Sequence, residues 1–72
     1  MINIQDIIPF MKEGWVAMEE DGDWNWWERK PSMKYDSYWW VQTGNVCCLS
    51  DFIDIAPADD WTNSLIKVKG VK

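Results

Sequence analysis

The chain contains no histidine, and its two cysteines are neighbours, Cys47 and Cys48. Without imidazole the usual general base at neutral pH is missing. Adjacent cysteines close almost no loop and fit disulfide geometry poorly, which excludes a disulfide scaffold. Two thiols also fall short of the four ligands of a structural zinc site, so no metal or other cofactor is expected. No apolar run is long enough to span a bilayer, and no membrane partner is expected. The opening stretch MINIQDIIPFMKEG lacks a basic n-region and carries Asp6 inside its apolar part, unlike a signal peptide. These features point to a cytoplasmic protein with reduced thiols. Cations are scarce too: 7 Lys and Arg stand against 12 Asp and Glu, for a net charge of −5. Direct nucleic-acid binding needs clustered Lys and Arg and is not expected, whereas partners with basic surfaces are permitted.

Catalysis is not expected either. There is no Gly-rich phosphate loop and no serine in an elbow motif. Carboxylates suit a paired-acid glycosidase, but 72 residues leave little room for a cleft that encloses a substrate. The length fits one domain, residues 1–72, of marginal stability, which needs a rich core in place of staples.

Tryptophan supplies that richness: there are 7 in the chain, 3 of them in the stretch DGDWNWW. Each buried aromatic side chain removes about 150–250 Å² from water, so a few of them can hold a small domain. The rings also have a second reading, because exposed indoles stack on sugars or bases and anchor protein interfaces.

The pattern predicts an α+β fold: a small antiparallel meander of four to five strands with a short N-terminal helix. Ile4, Ile7, Ile8 and Met11 recur at helical spacing, with Asn3 as cap and Pro9 as terminator. GWVAMEEDGDWNWWERKP reads as a hairpin closed by a two-residue Asp21-Gly22 turn. That turn pairs Glu20 with Asp23, Met18 with Asn25 and Ala17 with Trp26. Trp15, Ala17, Trp24 and Trp26 then share one face, and Val16, Met18, Asn25 and Trp27 the other. SMKYD reads as a polar loop. SYWWVQ and VCCLSDF read as third and fourth strands paired through a turn at Gly44-Asn45, Thr43 opposite Val46 and Trp40 opposite Leu49. A helical turn is expected between Pro57 and Trp61. Ile66 to Lys69 suits an edge strand whose lysines discourage edge pairing. Both faces of the central strands are apolar, so an aromatic face is expected to meet either a cover or a partner. Most of the tryptophans are expected to be buried, and the ring expected to be exposed is one of Trp24, Trp26 and Trp40.

The stretch EEDGD makes the hairpin tip acidic. Asp21 and Asp23 suit an acidic knob for a basic groove, and Asp51, Asp54, Asp59 and Asp60 form a second acidic stretch. DGDWNW alternates oxygens like a calcium loop, but an EF-hand needs Gly and Glu where the chain has Trp26 and Ser32. Cys47 and Cys48 lack an activating base and read as small buried hydrophobes on opposite faces.

Trp15, the Trp24–Trp27 cluster and Trp39–Trp40 are similar to the WW domain, a three-stranded sheet that binds proline-rich peptides. That pattern's histidine and its proline after the last tryptophan are missing here. GWVAMEEDGDWNWWERKP with DIAPADDWTNSLIKV more closely resembles small bacteriophage and prophage accessory proteins. That resemblance implies a phage origin, a bacterial host cytoplasm and a role as a modulator of a host protein. The leading expectation is thus a non-enzymatic protein-binding module acting through an acidic or aromatic surface. Its binding residues are expected among Trp24, Trp26, Trp40, Asp21 and Asp23. The alternatives are a small module that stacks sugars or bases on exposed tryptophans, and a structural homodimer.

Overall fold

A computed structural model describes the backbone of residues 1–34, 38–40 and 44–70, with side chains described outside 33–34 and 38–40. Helix α1 (Ile4–Ile7) begins where expected, with the Asn3 side chain accepting the Gln5 N–H. Pro9 denies the i→i−4 ladder its donor, and the chain tightens into a 3-10 turn over Ile8–Phe10. Strand β1 (Gly14–Met18) then pairs with β2 (Trp24–Trp27).

The register of this hairpin is one residue away from the expected one. Trp15 faces Trp27, Val16 faces Trp26, Ala17 faces Asn25 and Met18 faces Trp24. The cause is the loop, which holds three residues rather than two. The Gly22 N–H donates to Glu19 O at 2.9 Å, and the Glu19 N–H donates to Asp23 O at 2.8 Å. Gly22 takes the left-handed conformation at φ 94°. This is a type I turn closed by a glycine bulge, the usual three-residue hairpin loop. The Asp21 carboxylate fixes it further by accepting the Asp23 N–H at 2.9 Å.

A slip of one residue exchanges faces. Val16, Met18, Trp24 and Trp26 now share the inner face, and Trp15, Ala17 and Trp27 the outer one.

The main sheet has four antiparallel strands in the order β5-β2-β1-β6, with β5 at Val46–Cys48 and β6 at Ile66–Val68. The expected meander is corrected by this order, because β6 crosses back to the far side of β1. The expected polar loop SMKYD is also corrected: Ser32–Lys34 forms β3, which pairs with β4 (Tyr38–Trp40) in a separate two-stranded sheet. Trp40 therefore faces Ser32 rather than Leu49, and β5 pairs with β2 instead. Thr43, expected opposite Val46, lies outside the described residues. The predicted fourth strand stops early, giving way to a 3-10 turn over Leu49–Asp51. There Ser50 Oγ accepts the Trp24 N–H at 2.9 Å, which ties the turn to the start of β2.

The crossover covers the inner face. Ile2 pairs in parallel with Ile55, through the Ile2 N–H to Asp54 O and the Ala56 N–H to Ile2 O. Ile4, Val16, Met18, Trp24, Ile55 and Val68 form the main core. A second cluster, Ala17 and Trp27 with Trp61 and Leu65, packs on the outer face. The helical turn expected between Pro57 and Trp61 lies further along the chain, as a 3-10 turn over Trp61–Asn63 capped by Asp60. β6 ends two residues short of Met18. Buried Ser64 completes the ladder there, with its Oγ accepting the Met18 N–H at 2.8 Å. Among the described residues, no helix is long and apolar enough to cross a membrane.

Candidate functional site

The register of the hairpin decides which candidate side chains reach solvent. Trp24, one of the three candidates for the exposed ring and for binding, is corrected: it is 1% exposed and central to the inner core. Its indole N–H donates to Ala56 O at 3.1 Å, so even its polar edge is satisfied inside. Trp26 shares this face but lies nearer its edge and is half-buried. Its indole N–H donates to Lys12 O at 3.1 Å. The ring lies over Gly14, where an added Cβ would meet Trp26 Nε1 at 2.6 Å. Trp40 belongs to β4, and its side chain lies outside the described residues. Trp24 and Trp26 therefore do not form an exposed aromatic ladder.

Trp27 is buried on the outer face, and Trp15 beside it is half-buried. Lys67 and Lys30 lie 4.9 and 5.4 Å from the Trp15 ring centroid. Both cations compete for the faces a sugar or base would use. Lys67 also reaches Glu13, at 3.7 Å. Of the tryptophans whose side chains are described, none is exposed. The large apolar side chains that protrude include Phe10, Val46 and Phe52, at 81%, 59% and 77% exposure.

The acidic candidates do come together. Asp21 and Asp23 are exposed on the hairpin tip beside exposed Glu20. The bond from Trp24 N–H to Ser50 Oγ brings the second acidic stretch alongside, because Asp51 follows directly. Cys48 records this proximity. Burial pushes its thiol pKa up, and the carboxylates of Asp51 and Asp23 raise it further against backbone N–H donors from Asp51 and Ser50. The thiol is accordingly a poor nucleophile at neutral pH. Cys47 and Cys48 are both free and half-buried, opposite Trp26 and Asn25 on the two faces of β5.

Asp60 lies at the same end of the sheet, before Ser64. Hydrogen bonds from the Thr62 hydroxyl, the Thr62 N–H and the Asn63 amide hold its carboxyl below the ordinary aspartate range. A lowered pKa means that the charged cap stabilises the fold above the ordinary aspartate pKa. That contribution fades only as the pH falls through the lowered value.

Concavities among the described residues accompany these surfaces. A polar cleft of about 390 Å³ opens between α1 and the crossover, with Asn3, Gln5, Asp59 and Asn63 on its rim. A shallow apolar groove of about 230 Å³ is lined by Met11, Lys12, Trp26, Cys47 and Leu49. Among the described residues, no group of three or more acidic or sulfur side chains is placed to hold a metal ion. The chain matches no family model, no curated protein and no solved structure.

Sequence reasoning missed Asp51 as a neighbour of Asp23, and Met11 and Leu49 as neighbours of Trp26. The Ser50–Trp24 bond that creates the first pairing spans 26 positions and leaves no periodic trace.

Proposed function

We propose that the chain is a non-enzymatic protein-binding module that modulates a partner through the acidic end of its sheet. One observation carries the reading. Exposed Glu20, Asp21 and Asp23 stand beside exposed Asp51, and among the described residues no cation lies within ion-pairing distance of any of them. Carboxylates concentrated at one end, with no cation beside them among the described residues, create a field that draws in a basic surface and repels phosphate. Direct binding to nucleic acid is correspondingly disfavoured. The resemblance to phage accessory proteins adds a bacterial host protein as the class of partner and a host cytoplasm as the setting.

Stacking of sugars or bases finds less support. Trp24 and Trp27 are core, and the Trp15 ring is attended by two lysines.

The test uses the immobilised chain to capture proteins from a bacterial lysate, followed by purification and rebinding of what is captured. The partner is expected to present a basic surface. Its affinity should fall at least about tenfold in a Glu20→Gln, Asp23→Asn, Asp51→Asn variant, and also as salt rises. Equal affinity for this variant, or a partner with an acidic contact surface, would sink the proposal.

A further inference from the structure

The two edges of the main sheet are treated differently by the sequence. The β6 edge carries Lys67 and is followed by Lys69, both exposed. Lysines on an edge oppose pairing with another strand. At the other edge, β5 reads Val-Cys-Cys with no charge, and Val46 is 59% exposed. Among the described residues, β5 pairs with β2 alone.

The hydrogen-bond phase of β5 shows what its outer edge offers. The Glu28 N–H donates to Asn45 O, so Glu28 and Asn45 form a hydrogen-bonded pair. Antiparallel ladders alternate, so Cys47 bonds inward to Trp26. The N–H and C=O groups of Val46 and Cys48 therefore point away from β2.

We propose that the chain forms a twofold dimer by antiparallel addition of β5 to β5 of a second copy, centred on Cys47. Val46 of each copy then exchanges both backbone hydrogen bonds with the second copy's Cys48. The two Cys47 residues meet in a non-hydrogen-bonded pair, where the Cα atoms lie about 4.5 Å apart. The twofold axis runs through the sheet, so both Cys47 side chains lie on the inner-face side. The two apolar grooves of Met11, Trp26, Cys47 and Leu49 join across that axis.

Charge complementarity favours a second copy as the occupant. β5 runs toward the acidic end of the sheet, from Val46 opposite Trp27 to Cys48 opposite Asn25. Asp51 follows β5 at that end. At the other end, an added Cβ on Gly44 would lie 3.1 Å from Glu28 Oε1 and 3.2 Å from Arg29 Cγ, and Lys12 lines the groove beside Cys47. Antiparallel pairing reverses one copy. It lays Asp51 of each copy toward the end of the other that carries Lys12, Arg29 and Glu28, two cations against one anion, and leaves the hairpin tips free. A parallel arrangement, or an acidic peptide, would bring like charge to the Asp51 end.

Light scattering on the full chain in reducing buffer, across rising concentrations, gives the first readout. The mass is expected to approach twice the monomer. Diamide provides the second. A Cys47 pair, whose Cα separation lies within the disulfide range of about 4.4–6.8 Å, loses two protons and two electrons to the diazene, which becomes the hydrazine. Covalent dimer is expected in wild type and in Cys48→Ala, but not in Cys47→Ala. Val46→Lys should restore the monomer mass with an unchanged unfolding midpoint, since Val46 is exposed and its side chain supports no core. Monomer mass at every concentration would overturn the proposal. A crosslink that needs Cys48, or a dimer that persists in folded Val46→Lys, would do the same. If Val46→Lys does not fold, the wild-type mass and the two cysteine variants still decide.

Discussion

Trp27 packs against Ala17, Trp61 and Leu65 on the outer face and is 4% exposed. Truncating a buried aromatic removes its transfer energy and leaves a cavity that a small domain fills poorly. Trp27→Ala is therefore expected to cost about 3–5 kcal/mol, read as a lower urea midpoint. An unchanged midpoint would remove Trp27 from the core. The neighbouring ring differs in kind. Trp26 is held by the Lys12 carbonyl and by the absence of a side chain at Gly14, so its half-exposure is built into the strand. That tryptophan would supply core was legible, as Trp24 and Trp27 show, because a chain this short has no disulfide staple. Which of them are fully buried and which only half-buried was not, since that depends on register.

Gly22 sets that register. No atom lies within 4 Å of a Cβ built there, so the cost of a side chain comes from φ 94° alone. A β-branched residue resists the left-handed region, and Gly22→Val should destabilise by about 1–2 kcal/mol. For a domain of this size, that lowers the melting temperature by roughly 4–16 °C. A variant that melts with the wild type would mean that the turn does not constrain the hairpin. The same turn shows how far the sequence could be read. Asp21-Gly22 marked a hairpin correctly, and Asn3, Pro9 and Gly14 marked where α1 begins, where it yields and where β1 starts. Residue preference alone did not separate a two-residue loop from a three-residue one. The Asp21 carboxylate and a single positive φ favour the longer form. β3 was invisible because Ser-Met-Lys has little strand preference and forms only by pairing with β4. The strand order was equally hidden, since the bonds that route the crossover join Ile2 to residues 54–56 and Trp24 to Ser50 and Ala56.

Across the whole molecule, the strand directions sort the charges. The hairpin tip, the Leu49–Asp51 turn and the Asp60 cap all lie where β1 ends and β2 begins, while Lys12, Arg29, Lys30, Lys67 and Lys69 lie toward the opposite end. Uncompensated like charges held close together oppose the compact state, and salt relieves them. At protein concentrations low enough for the monomer, raising salt from about 0.01 to 0.1 M shortens the screening length from about 30 to 10 Å. The thermal midpoint should rise over that range. Asp23→Asn removes one charge from the crowded tip, so it should melt higher than wild type at low salt, and the gap should close as salt rises. Asn keeps the short polar side chain that the turn accommodates. A midpoint that falls with salt would show that attraction between the ends outweighs repulsion within the acidic end. In that case the tip would be compensated internally and would have no excess field to offer a basic partner.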